Sequence, residues 1–106
     1  MRALVLLALL ASPAWAQVYQ YKPVSGAQYA LAITSVQTLT VPNAARIAEI
    51  CVDTAVARYT TSGTTPSASV GIPVASGTCF QIAGRDALLA FQIIGAGATA
   101  TIEYFQ

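Results

Sequence analysis

Residues 98–105 read Ala98-Thr99-Ala100-Thr101-Ile102-Glu103-Tyr104-Phe105. Ala98, Ala100, Ile102 and Tyr104 fall on one side of an extended chain, and Thr99, Thr101 and Glu103 fall on the other. A period of two with one apolar side is the pattern of a half-buried strand, because successive side chains in a strand point to opposite faces. Gly95-Ala96-Gly97 turns the chain just before it. Upstream, Asp86 and the run Ala87 to Ile94 admit two readings. Asp86 can cap a helix through Ala87-Leu88-Leu89-Ala90-Phe91, or the run can start a strand. Its shortness, the Ile93-Ile94 ending and the bounding Gly84 and Gly95 favour a strand across 86–94.

The same alternation recurs toward the N-terminus. In Thr78 to Ile82, Phe80 and Ile82 share one face, with Cys79 and Gln81 on the other. In Arg46 to Asp53, Ala48, Ile50 and Val52 oppose Ile47, Glu49, Cys51 and Asp53. A second run, Ala55 to Thr61, follows after a tight connection at Asp53-Thr54. Tyr29 to Val41 is rich in β-branched residues but slips parity near Ser35, which predicts two short strands or one bulged strand. Gln17 to Lys22 alternates too, is stopped by Pro23, and Ser25-Gly26 reads as a turn. Ile72-Pro73-Val74 is a short extended link. About 7–8 short strands, broken roughly every 8–12 residues, describe an all-β chain folded as a small antiparallel β-sandwich or jelly roll, with a barrel as the runner-up.

Between these strands lies Arg58 to Gly71, RYTTSGTTPSASVG. It offers little to bury, Gly63 can take positive φ, and Pro66 withholds a backbone donor, so it is predicted to be an exposed loop. Arg58, Tyr59, Thr64, Thr65 and Pro66 form its candidate contact surface. Arg58 can grip a carboxylate or phosphate on a partner. The plainer alternative is a pairing with Asp53, or cover of apolar surface by its stem.

Met1 to Ala16 has a basic Arg2, an unbroken apolar run from Ala3 to Ala11, and small residues Ala14 and Ala16 two apart. This is the layout of a secretory signal with cleavage between Ala16 and Gln17. The run is well short of the roughly 20 residues that span a bilayer, so no stable membrane insertion is expected after cleavage. Residues 17–106 then form a single domain, exported to the periplasm or the outside. It carries Lys22, Arg46, Arg58 and Arg85 against Glu49, Asp53, Asp86 and Glu103, and is formally neutral. A neutral surface gives no long-range attraction to polyanions, so nucleic acid is not an expected partner.

Cys51 and Cys79 are the two cysteines, and the chain has no histidine. An even count in an exported chain favours a disulfide, and no further Cys or His exists to complete a zinc site; two buried free thiols are the alternative. Both sit on the less apolar face of their strands, so a bridge between neighbouring strands near the surface is the economical geometry. Without histidine the serines and threonines lack the usual base that activates a nucleophile. Glu49 and Asp53, on one polar face, read as a solvated face rather than as the acid pair of a glycosidase. Tyr19, Tyr21, Tyr29, Tyr104 and Phe105 suggest a sugar-binding platform, but their strand parity fits core or edge packing. The chain is therefore expected to be no enzyme, with no cofactor and no metal.

From about Val36 to Phe105 the chain resembles small phage-encoded and prophage-encoded proteins. The shared stretch is an arginine, an aromatic, three residues, glycine, two residues, proline, and alternating small residues ending in glycine. Here these are Arg58, Tyr59, Gly63, Pro66, Ser67, Ala68, Ser69 and Gly71. Thr60-Thr61-Ser62 stand where that family carries acidic residues. The resemblance implies a virion-associated β-sandwich without catalytic activity, a capsid decoration or tail accessory protein. Its expected partner is another protein, a virion or cell-surface component, with a homo-oligomer among the options. The leader and cysteines support an alternative, a secreted or periplasmic domain that recognises a surface polymer or protein.

Overall fold

The computed structural model describes residues 21–106. The predicted cleavage at Ala16 and Gln17, and most of the early alternating segment, lie outside these residues. The described chain runs β1 (Pro23–Ala32), β2 (Gln37–Thr38), β3 (Ile47–Asp53), β4 (Ala57–Thr60), β5 (Ile72–Val74), β6 (Cys79–Ala83), α1 (Arg85–Ala90), β7 (Gln92–Ile94) and β8 (Thr99–Phe105). The strands form two four-stranded sheets, ordered β1-β8-β3-β6 and β2-β7-β4-β5, and every pairing is antiparallel. The chain crosses between sheets at every connection except the β4–β5 loop. This order is that of an eight-stranded jelly roll, one of the two sandwich forms that the sequence predicts.

Parity on β8 and β3 builds half of the core. Ala98, Ala100, Ile102 and Tyr104 are buried, as are Ala48, Ile50 and Val52. Register sets small against large at two of three core pairs: Ala48 opposes Tyr104 and Val52 opposes Ala100, while Ile50 opposes Ile102. The other sheet contributes Ala57, Val74 and Ile93, while Ile33, Leu88 and Phe91 come from the helix and the connections. Each fully buried Ile, Leu or Phe stabilises by about 1.5–3 kcal/mol.

Two expectations are corrected. Residues 86–94 are not one strand: Arg85–Ala90 is a helix, Phe91 is extended, and only Gln92–Ile94 pairs in a sheet. The helix is held by tertiary contacts, with Leu88 fully buried and the Arg85 guanidinium donating to the carbonyls of Pro42, Asn43 and Ala45. Pro23 does not stop the first strand but opens β1, and Ser25-Gly26 lies within it rather than in a turn. As an edge strand β1 tolerates proline, and between Val24 and Gln28 it bulges against β8 with Gly26 at φ 118°.

Cys51 and Cys79 are direct register partners on β3 and β6, with Cα atoms 4.0 Å apart, and they are joined by a disulfide. Cys79 is exposed and Cys51 half-buried, so the bridge lies near the surface between neighbouring strands, as predicted. Among the described residues no helix is long and apolar enough to cross a membrane.

Candidate functional site

The β4–β5 loop, residues 61–71, carries the distinctive stretch, and the alternation of β4 dictates what it covers. Ala57 and Tyr59 face the interior, where the Tyr59 ring stacks on Phe80 at 4.7 Å and on Phe91 at 5.4 Å. Arg58 and Thr60 therefore face outward, beside Ile94 and Gln92 of β7. The loop folds back over this outer face and buries Thr60, whose hydroxyl donates to the Thr64 carbonyl. Arg58 Nη1 donates to the Gly71 carbonyl at 2.8 Å, so it binds the end of its own loop rather than Asp53. Gly71, at φ 120°, lets the backbone close on β4; a Cβ there would lie 3.0 Å from the Tyr59 carbonyl oxygen. Inside the loop the Ser67 hydroxyl accepts from the Val70 amide at 3.1 Å.

Of the predicted contact residues, Thr64 and Thr65 are exposed and Arg58 is half-buried. Tyr59 belongs to the aromatic layer, and Pro66 is among the most completely buried side chains. Pro66 offers no free face, and Tyr59 is half-buried. The loop is thus held on both sides, by an aromatic anchor below and a buried proline near its middle.

Beside the loop is a groove of about 210 Å³, which the sequence did not disclose. Its walls come from connections distant in the chain: Thr34 after β1, Val56 before β4, Ser67 and Ala68 of the loop, and Gly95 and Ala96 after β7. Short backbone bonds gather them. The Ile33 amide donates to the Ala98 carbonyl at 3.1 Å and the Gly95 amide to the Ile33 carbonyl at 2.8 Å. The Thr54 hydroxyl donates to the Gly97 carbonyl at 2.8 Å, which holds this β-branched residue at φ 72°. Gly95 sits where chains cross, with 2.7 Å between the place of a Cβ and the Val56 carbonyl oxygen. The only sequence signals were the glycines of Gly95-Ala96-Gly97 and the tight Asp53-Thr54 connection.

The outer face of the first sheet is different. Register sets Glu49 directly beside Glu103 and also beside Gln81. Tyr29, 68% exposed, donates from its hydroxyl to Glu103 Oε2 at 3.1 Å, and this hydrogen bond with the nearby carboxylate raises the Tyr29 pKa. Asp53 is at the end of the same face, where its Oδ1 accepts from the Thr54 amide at 2.8 Å. Among the described residues no three His, Cys, Asp or Glu side chains gather as a metal site. Tyr19 of the predicted aromatic set lies outside the described residues, and among those described the set does not make one platform: Tyr104 is in the core, while the Tyr21 and Phe105 rings lie 6.2 Å apart. The buried Tyr104 hydroxyl has no partner in good geometry; burial raises its pKa and the Thr40 backbone partly opposes this.

No protein-family model matches the chain, and no curated protein or solved structure matches it either.

Proposed function

We propose that the protein is a non-catalytic structural module of a phage particle, a capsid decoration or tail accessory component that acts by protein–protein contacts of its loops and sheet edges. The observation that carries this reading is the form of the Arg58–Gly71 stretch. The residues that resemble a phage-protein motif build a hairpin cover on a jelly roll, its shape held by the aromatic, the proline, the closing glycine and one hydrogen bond from the arginine. A surface held in one shape binds a partner without the entropy cost of ordering a mobile loop. The jelly roll is a frequent fold of capsid proteins but also of lectins and cupins, so the fold supports the reading without deciding it. Mass spectrometry of purified particles should find the protein at a fixed stoichiometry; its absence there would rule the proposal out.

The Cys51–Cys79 disulfide favours a second reading, an exported domain that recognises a surface polymer or protein, since such bridges belong to oxidising compartments. Export is compatible with both readings. A genomic neighbourhood without phage genes, together with recovery from the periplasm or medium, would select the second.

A further inference from the structure

The groove beside the loop is walled mainly by Val56, Ala57, Ala68, Ile94 and Ala96, and Arg58 is the one charged residue among the described residues that line it. We infer that this groove receives an acidic side chain of a protein partner, with the carboxylate on Arg58 and the aliphatic stem against Ile94 and Val56. The inference rests on the reading that the protein works through protein contacts, but not on the partner being a phage component.

Arg58 is half-buried and its Nη1 is committed to the Gly71 carbonyl, which holds the guanidinium by one donor. A guanidinium carries five donors, so most of the fork remains for a partner. The stretch from Tyr59 to Gly71 contains no acidic residue. A half-desolvated guanidinium without a carboxylate on its own loop gains most from a charge-assisted, two-pronged bond to one. The apolar walls add the second requirement, an anion carried on a short aliphatic stem, because a bare inorganic anion would leave them wet.

Size selects the source. The groove's volume of about 210 Å³ falls below the roughly 300–1,000 Å³ of small-molecule sites, and suits one or two side chains. Val56, 59% exposed, carries the apolar wall beyond the groove, so an occupant larger than a free acid would bury more. The crossing at Gly95 and the pinned Thr54 hold these walls in place before any partner arrives.

The test is an NMR titration of the folded protein with the capped peptide acetyl-Val-Glu-Ala-amide, its Gln counterpart, sodium butyrate and inorganic phosphate. The acidic peptide is expected to shift Thr34, Val56, Arg58 and Ile94, and to bind about 10-fold more tightly than the Gln peptide. Arg58→Met should abolish the shifts. Because that change also removes the tie to Gly71, Val56→Glu on the exposed rim serves as a second variant, expected to weaken binding by about 5–10-fold through like-charge repulsion. Equal binding of the two peptides, no shift by about 10 mM acidic peptide, or affinity unchanged in Val56→Glu would overturn the inference. So would shifts with butyrate or phosphate but none with the peptide, since they assign the groove to a small anion. Peptide binding by a protein absent from phage particles would sink only the virion reading; presence in particles without peptide binding would sink only this one.

Discussion

The first sheet, β1-β8-β3-β6, has strands of 10, 7, 7 and 5 residues, whereas the second, β2-β7-β4-β5, has strands of 2, 3, 4 and 3. The first is a ladder: β3 and β8 pair over seven successive positions and a disulfide ties β3 to β6. The second has too few backbone bonds to stand alone. It is kept in place by side chains, by the Tyr59–Phe80–Phe91 layer beneath and the folded-back loop above. The contrast teaches how a small domain can divide its tasks. Long register supplies the frame, and short strands leave room for connections that form a surface.

The comparison can be broken most severely at the aromatic layer. Phe91→Ala is expected to cost about 3–5 kcal/mol in urea unfolding, with amide protection lost in β4 and β7 before β3 and β8. Equal loss in both sheets would remove the distinction. On the frame side, opening the Cys51–Cys79 bridge should cost about 3.6 kcal/mol if chain entropy dominates and lower the Tm. Alkylation of native, unreduced protein should find no free thiol; two would contradict the bridge.

A smaller effect is expected where the second sheet meets the groove. Gly95→Ala forces a methyl to within 2.7 Å of the Val56 carbonyl oxygen and should cost about 1–3 kcal/mol by overpacking, read as a lower urea midpoint. An unchanged midpoint would mean that the crossing yields easily.

The smallest change probes the exposed face of the frame. Tyr29 should titrate above the ordinary tyrosine range, and Glu103→Gln should bring its midpoint back down in a titration followed by absorbance. The sign follows from the raised pKa: folding favours the protonated phenol, so this contribution is present below the unfolded tyrosine value and lost as pH rises through the folded one. A midpoint indifferent to Glu103→Gln would show that the hydrogen bond does not persist in solution.

The frame was legible in the sequence because its strands are long enough to display parity. The buried set Ala98, Ala100, Ile102 and Tyr104 could be written down from alternation alone, and so could the outward, bridging positions of Cys51 and Cys79. The second sheet was less so, since two or three residues show no period. The helix at Arg85–Ala90 was hidden for a related reason. Six residues of helix followed by three of strand give a mixed pattern, and what decides between them is burial of Leu88 and anchoring of Arg85 to a segment 40–43 residues earlier. The β1 bulge was misread because Pro23 and Ser25-Gly26 are turn signals everywhere except on an edge strand. The groove and the Glu49–Glu103 adjacency depend on register between distant strands, which no local window contains. The loop's position between β4 and β5 was readable, but not that Tyr59 and Pro66 turn inward.

The disulfide also governs what happens when the chain is cut. Cys51 and Cys79 bracket β4, the whole Arg58–Gly71 stretch and β5, and the exposed tip at Thr61–Thr65 is the kind of site where proteases nick first. A single cut there leaves both halves on one covalent molecule, with β4 still paired to β7 and β5 still tethered through β6. The nick would pass unseen in a gel until reductant was added. The bridge thus turns a chain break from separation of two fragments into a local scar.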